Sequence, residues 1–235
     1  MPFMVRWAAG LLFAVGVIVL PGPWGSSSIG LRPGEPGLFV DGGNTDRGEV
    51  LYRKLDCVQC HSEPRTAGGT NAPADLLIAG SRARANWLAM YLRDPKPLRY
   101  ASEGVRPGLR MPGFPLTEEE AADLAAFLAI QKDSNLVPLR SDIVERLGDP
   151  KLIKEGGTLF EEYQCLGCHQ LGNRGNEVGP PLDSVGTRRT PEYVAALLEN
   201  PGRVVPGTAM EDHELWDEEI VSLTVYLMTL SGPPN

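Results

Sequence analysis

The chain has 235 residues, of which 42% are hydrophobic and 22% charged, an ordinary globular composition with enough apolar material for one or two cores. Its formal charge of −8 argues against a nucleic-acid backbone as partner. It holds only four cysteines and three histidines, so any thiol or imidazole chemistry is confined to a few places.

The N-terminus (residues 1–24) places Arg6 ahead of an unbroken apolar run from Trp7 to Leu20. Such a run is either a cleaved signal peptide or a retained membrane anchor. A helix from Pro2 to Leu20 would be about 28 Å long at 1.5 Å per residue, close to the hydrocarbon core of a bilayer. Trp7 and Trp24 fall where the two interfaces would lie. The small-residue cleavage signal around Ser26 and Ser28 is weak, so a retained transmembrane helix is the expectation, with Arg6 inside and the rest exported. Residues 25–47 are dense in Pro and Gly and read as an extended linker, with the apolar patch 37–40 alone within it.

The chain then repeats itself. "EVLYRKLDCVQCH" (49–61) aligns with "GTLFEEYQCLGCH" (157–169), "NWLAMYLRDP" (86–95) with "EYVAALLENP" (192–201), and "LTEEEAADLAAFLAI" (116–130) with "LWDEEIVSLTVYLMT" (215–229). Two homologous modules follow, 48–132 and 150–235, joined by a connector at 133–149. Each module predicts an amphipathic helix running into a cysteine motif, a polar loop, a helix stopped at Pro95 or Pro201, a loop carrying a methionine, and a closing helix with acidic residues in its first turn. Thr117 followed by Glu120 fits a capping box. No stretch alternates with period two, so strands are not expected and the fold class is all-α. Residues 48–132 carry 11 basic and 10 acidic side chains, whereas 150–235 carry 6 and 13. The acidic second half keeps the protein soluble or presents a face to a basic partner.

Cys57, Cys60 and His61, and again Cys165, Cys168 and His169, form two C-x-x-C-H motifs that use every cysteine. A redox dithiol would sit near a βαβ pattern, which is missing. A zinc site would need a fourth ligand in each module, and only His213 is spare. A c-type haem site needs nothing more: two thiols on one turn reach two vinyl groups and the following imidazole meets the iron. Two haem c groups are therefore expected. The sixth ligand is expected from the loop facing each histidine. Met111 and Met210 each precede by five residues the leucine that opens the last helix, Leu116 and Leu215. Met90 and Met228 lie mid-helix and read as core filler. His213, three residues after Met210, competes with it for the second iron.

With these features each module resembles a class I cytochrome c domain, over roughly 48–132 and 150–232. The resemblance implies a small helical bundle around haem with crossing N- and C-terminal helices, Tyr52 and Phe160 lying against Phe127 and Tyr226 near the crossing. It also implies a proline whose carbonyl accepts from the axial histidine: Pro180 in "GPPLDSVG" and, less closely matched, Pro73 in "NAPADLLIAG". The implied function is one-electron transfer rather than catalysis, on the extracytoplasmic side. The leading expectation is a membrane-anchored subunit or tethered carrier between a cytochrome bc-type quinol oxidoreductase and a terminal oxidase or photosynthetic reaction centre. The partners are then other subunits of that complex, a soluble electron carrier, or both. The alternatives are the electron-accepting subunit of a periplasmic dehydrogenase, a dihaem peroxidase and a haem-based sensor.

Overall fold

The computed structural model describes residues 42–61, 75–96 and 111–232. The expected anchor, most of the linker and Pro73 lie outside the described residues. Among the described residues no helix is long and apolar enough to cross a membrane.

The first module opens with α1 (Thr45–Lys54), capped by Asn44, whose Oδ1 accepts from Arg47 N at 2.9 Å. The helix thus takes in residues 45–47, which the glycine-rich sequence assigns to the linker; the Asn44 cap is what moves the boundary. After the cysteine motif come a short helix α2 (Ala79–Arg82), α3 (Ala85–Arg93) and α4 (Glu118–Ala129). Thr117 and Glu120 close a reciprocal box at the start of α4, at 3.2 and 2.9 Å. The connector holds α5 (Ser141–Val144). The second module repeats the plan with α6 (Pro150–Glu162), α7 (Val185–Arg188), α8 (Pro191–Glu199), α9 (Pro201–Val204) and α10 (Asp217–Met228). Asp149 caps α6 and Asn200 caps α9, so the proline that ends α8 also starts the next turn.

In both modules the first and last helices cross at a glycine. A Cβ on Gly48 would lie 2.1 Å from the Asp123 carbonyl oxygen, and one on Gly156 would lie 2.0 Å from that of Ser222. The missing side chain lets the helix backbones touch. One turn further on, rings close the gap: Tyr52 and Phe127 sit 5.3 Å apart between centroids, Phe160 and Tyr226 5.5 Å apart. Behind each crossing lies a core, with Trp87, Leu88, Leu124 and Leu128 in the first module and Phe160, Val194, Leu223 and Val225 in the second. The connector is packed rather than slack. Ile143 is wholly buried in the second core, and Leu136 and Val137 join Ile78, Tyr193, Ala196 and Val204 in a third cluster spanning both modules.

One expectation is corrected. A two-stranded antiparallel hairpin, β1 (Gln170–Leu171) and β2 (Arg174–Gly175), follows the second cysteine motif. Two-residue strands are too short to show an alternating pattern, and Gly172, at positive φ, helps make the turn between them.

The crossings differ in their polar lining. Asp123 is buried, and accepts from Asn44 N at 2.6 Å and from Arg47 Nε and Nη2 at 2.6 and 3.0 Å. In the second module Ser222 takes this place and its hydroxyl reaches only Glu155, at 3.3 Å. Burial alone pushes the Asp123 carboxyl up, but the Arg47 and Asn44 donors outweigh it, and the group titrates below the ordinary aspartate value of 3.8. A depressed folded value means that its stabilisation is complete above the unfolded value and is lost as pH falls through the folded one. Unfolding free energy of Asp123→Asn, followed by urea titration, should therefore vary less with pH than wild type below about pH 4. Parallel profiles would contradict this. Gly156→Ala should lower unfolding stability by about 1–3 kcal/mol through overpacking at the crossing, read from the same urea titrations.

Candidate haem sites

Each N-terminal helix delivers the chain into its cysteine motif through one residue in the left-handed region, Asp56 (φ 54°) or Gln164 (φ 51°). Non-glycine residues rarely adopt this conformation, and its recurrence at equivalent positions marks a required turn. The sequence signal for it is weak: Asp enters this region more readily than most residues, but Gln does not. Beyond it, Cys57–Gln59 and Cys165–Gly167 form single 3-10 turns. Backbone hydrogen bonds from Cys60 and His61 to the Cys57 carbonyl (3.3 and 3.0 Å), and from Cys168 and His169 to that of Cys165 (3.2 and 2.9 Å), hold both thiols and the imidazole on one turn. No disulfide joins the four cysteines; Cys57 and Cys165 are half-buried and Cys60 and Cys168 exposed. Burial pushes the Cys57 and Cys165 thiols up, the opposite of the lowered values that mark redox-active dithiols. Among the described residues no group of three or more His, Cys, Asp or Glu is gathered to hold a metal ion.

The second site is described in full. The His169 ring is half-buried, and its Nδ1–H donates to the Pro180 carbonyl at 2.8 Å. A carbonyl only accepts, so the proton is on Nδ1 and the Nε2 lone pair stays free. Burial lowers the imidazole, with the Pro180 bond opposing, so the ring is neutral at neutral pH, as an iron ligand must be. Gly179 lies against this ring: a Cβ there would fall 2.6 Å from Cε1 and 2.7 Å from Nδ1. The hairpin clasps the motif from the other side. Asn176 N donates to the His169 carbonyl (3.1 Å) and Asn176 Nδ2 to that of Gly167 (3.0 Å), while Gly179 N reaches Cys168 (2.7 Å). Arg174 pairs with Glu161 on α6 at 3.0 Å.

Met210 is half-buried and packs against the second core; Met111 holds the matching place against the first. His213 is exposed, and its ring lies on Tyr163, 5.7 Å between centroids, two residues before Cys165. Tyr163 is itself held by Glu219 at 3.0 Å. His213 thus belongs to a surface cluster, and the core-facing donor of the loop is Met210. In the first module His61 is half-buried on the same kind of turn.

The donor set fits haem c: two unpaired thiols, an imidazole and a thioether at the core edge in each module, with the Nδ1 of the second imidazole committed to Pro180. Two further features suit a group that carries carboxylates. Arg82 Nε is buried without a hydrogen-bond partner, and Arg188, at the equivalent position, is 5% exposed and donates to backbone carbonyls.

Helical modules with thiol-and-imidazole turns of this kind define a covalent haem protein. The cytochrome c family pattern matches residues 45–131 and 153–231, well over half of the chain, and the chain belongs to that family. Along 80% of its length it is 27% identical to cytochrome c4 of Thiocapsa roseopersicina, covering 94% of that protein. Over 91 residues it is 31% identical to cytochrome c oxidase subunit 2 of Alkalihalophilus pseudofirmus, matching 34% of this chain and 26% of that subunit's length. It also aligns with a chain of the reducing HAO-like protein complex of Kuenenia stuttgartiensis at 20% identity, covering 80% of this chain and 97% of that one, with a TM-score of 0.34. The protein is a dihaem class I cytochrome c, an electron carrier with two covalently bound haem c groups.

Gly179→Ala should push the His169 ring off the Pro180 carbonyl. The midpoint potential of one haem should move while the other keeps its wild-type value, in a spectroelectrochemical titration of the full chain. Two unchanged potentials would show that the ring tolerates the methyl group.

Proposed function

We propose that the chain relays single electrons between two six-coordinate haems. Cys57 and Cys60 hold the first haem and Cys165 and Cys168 the second, through thioether bonds. His61 and His169 are the axial imidazoles, and Met111 and Met210 complete the irons. Pro180 fixes the tautomer and plane of His169, and Pro73 does the same for His61. The haems, when bound, supply the one-electron couple, and His/Met ligation favours the reduced iron. This chain's own residues orient the ligands, exclude water and leave no coordination position open. The observation that carries the reading is His169, whose Nδ1–H is committed to Pro180 O at 2.8 Å while Nε2 stays free on the turn that presents both thiols.

The modules work outside the cytoplasm, tethered by the apolar run Trp7–Leu20. There they pass electrons within or alongside a membrane complex, between a cytochrome bc-type quinol oxidoreductase and a terminal oxidase or reaction centre. The similarity of part of the chain to a cytochrome c oxidase subunit supports this setting, and the long alignment with a cytochrome c4 supports the carrier role. The second module carries 6 basic and 13 acidic residues, which suits a cationic partner there.

Met111→Ala and Met210→Ala should each remove about half of the iron–thioether charge-transfer absorbance of the oxidised protein and lower one midpoint potential. His213→Ala should leave both quantities unchanged. An absorbance and potentials unchanged in Met210→Ala, with one midpoint potential moved in His213→Ala, would reverse the second assignment.

A further inference from the structure

The two modules meet across a local two-fold. Residues 82–84 run from the last residue of α2 and residues 188–190 from the last residue of α7, at equivalent positions in the repeat. Ala83 forms an antiparallel bridge with its own counterpart, Arg189. Arg84 N donates to the Arg188 carbonyl at 3.1 Å, and Thr190 N to the Arg82 carbonyl at 3.4 Å. Side chains cross in both directions. Arg84 Nε reaches the Arg189 carbonyl at 3.0 Å and its Nη2 lies 3.8 Å from Met228 Sδ, while the Thr190 hydroxyl donates to the Ser81 carbonyl.

Arg188 connects this junction to the second haem site. Its carbonyl takes the bond from Arg84, and its guanidinium turns inward, Nη2 donating to the Pro181 carbonyl at 2.6 Å and Nε to that of Ser184 at 3.4 Å. Pro181 shares a peptide with Pro180, whose carbonyl receives the Nδ1–H of His169 at 2.8 Å. An unbroken series of hydrogen bonds and covalent bonds therefore runs from the backbone of the first module to the imidazole of the second. Guanidinium burial is costly, and among the described residues Arg188 offsets it with backbone carbonyls rather than an ion pair, unlike a surface arginine.

We propose that Arg188 is a positioning residue. It ties the Pro180–Pro181 carbonyls, and through them His169, to the docked first module, so the axial imidazole of the second haem is held in place from across the junction. Docking of the modules and ligation of the second iron are then one cooperative arrangement.

The proposal rests on His169 being an axial ligand. Failure of that reading shows in the wild-type reduced holoprotein, as a His169 ring without haem-shifted proton resonances, before any variant is made. The test follows solvent exchange of His169 Nδ1–H by proton NMR in the full-length dihaem protein. Arg188→Met keeps the apolar stem and removes the donors, and exchange should quicken about tenfold or more. Arg188→Lys, with one donor restored, should fall between that variant and wild type. Arg84 has φ −70° and Ala83 is extended, so Arg84→Pro removes the N–H at an allowed geometry. It should quicken exchange beyond Arg84→Ala, which loses only the guanidinium. If Arg188→Met does not fold, the Arg84 pair carries the test alone. Wild-type exchange in Arg188→Met, or equal exchange in Arg84→Pro and Arg84→Ala, would overturn the proposal.

Discussion

Each module depends on two helices being allowed to touch where a side chain is missing. At Gly48 and Gly156 the backbone of the first helix approaches a carbonyl of the last helix to a distance that no Cβ tolerates. That contact fixes the angle of the first helix, and the cysteine motif begins within three residues of that helix's end in both copies. The last helix carries at its other end the loop that brings the methionine in. The cysteine motif and the methionine loop are therefore both referred to one crossing. The aromatic pairs one turn on, Tyr52 with Phe127 and Phe160 with Tyr226, keep the rest of the interface filled.

The two copies share this frame and differ around it. The first stabilises its crossing with a buried carboxylate held by Arg47 and Asn44; the second uses a hydroxyl. The carboxylate makes the first crossing sensitive to acid, and in the second module His169 and its turn are buttressed by Asn176, Gly179 and Pro180. The junction adds a third level, because its backbone bridge pairs equivalent residues and a packed connector, Leu136 and Val137 included, fills the space beside it.

Much of this was legible in the sequence because the repeat could be read against itself. The cysteine motifs, the aromatic positions, the proline stops, the Thr117–Glu120 box and the paired methionine loops each occur at matched spacing, and hydrophobic period and cap chemistry act locally. What escaped depends on contacts between distant segments. The left-handed Asp56 and Gln164 carry no glycine to announce them. The hairpin is too short for a period. The meeting of Ala83 with Arg189 is tertiary, and nothing in "SRARA" or "GTRRT" marks either stretch as an interface. The glycines at the crossing were visible in the sequence, but an isolated glycine in a helix reads first as a weak helix former. His213 illustrates the same limit: its spacing from Met210 makes it a rival ligand, and only its tilted ring contact with Tyr163 shows which way the ring goes.

The central claim is that both irons in one chain are closed by histidine and methionine. The most direct measurement is the proton NMR spectrum of the fully reduced native protein, in which a methionine methyl bound to haem iron is displaced far upfield by the porphyrin ring current. Two such methyl signals of equal intensity are predicted, one from each module. One signal, or none, would contradict the account.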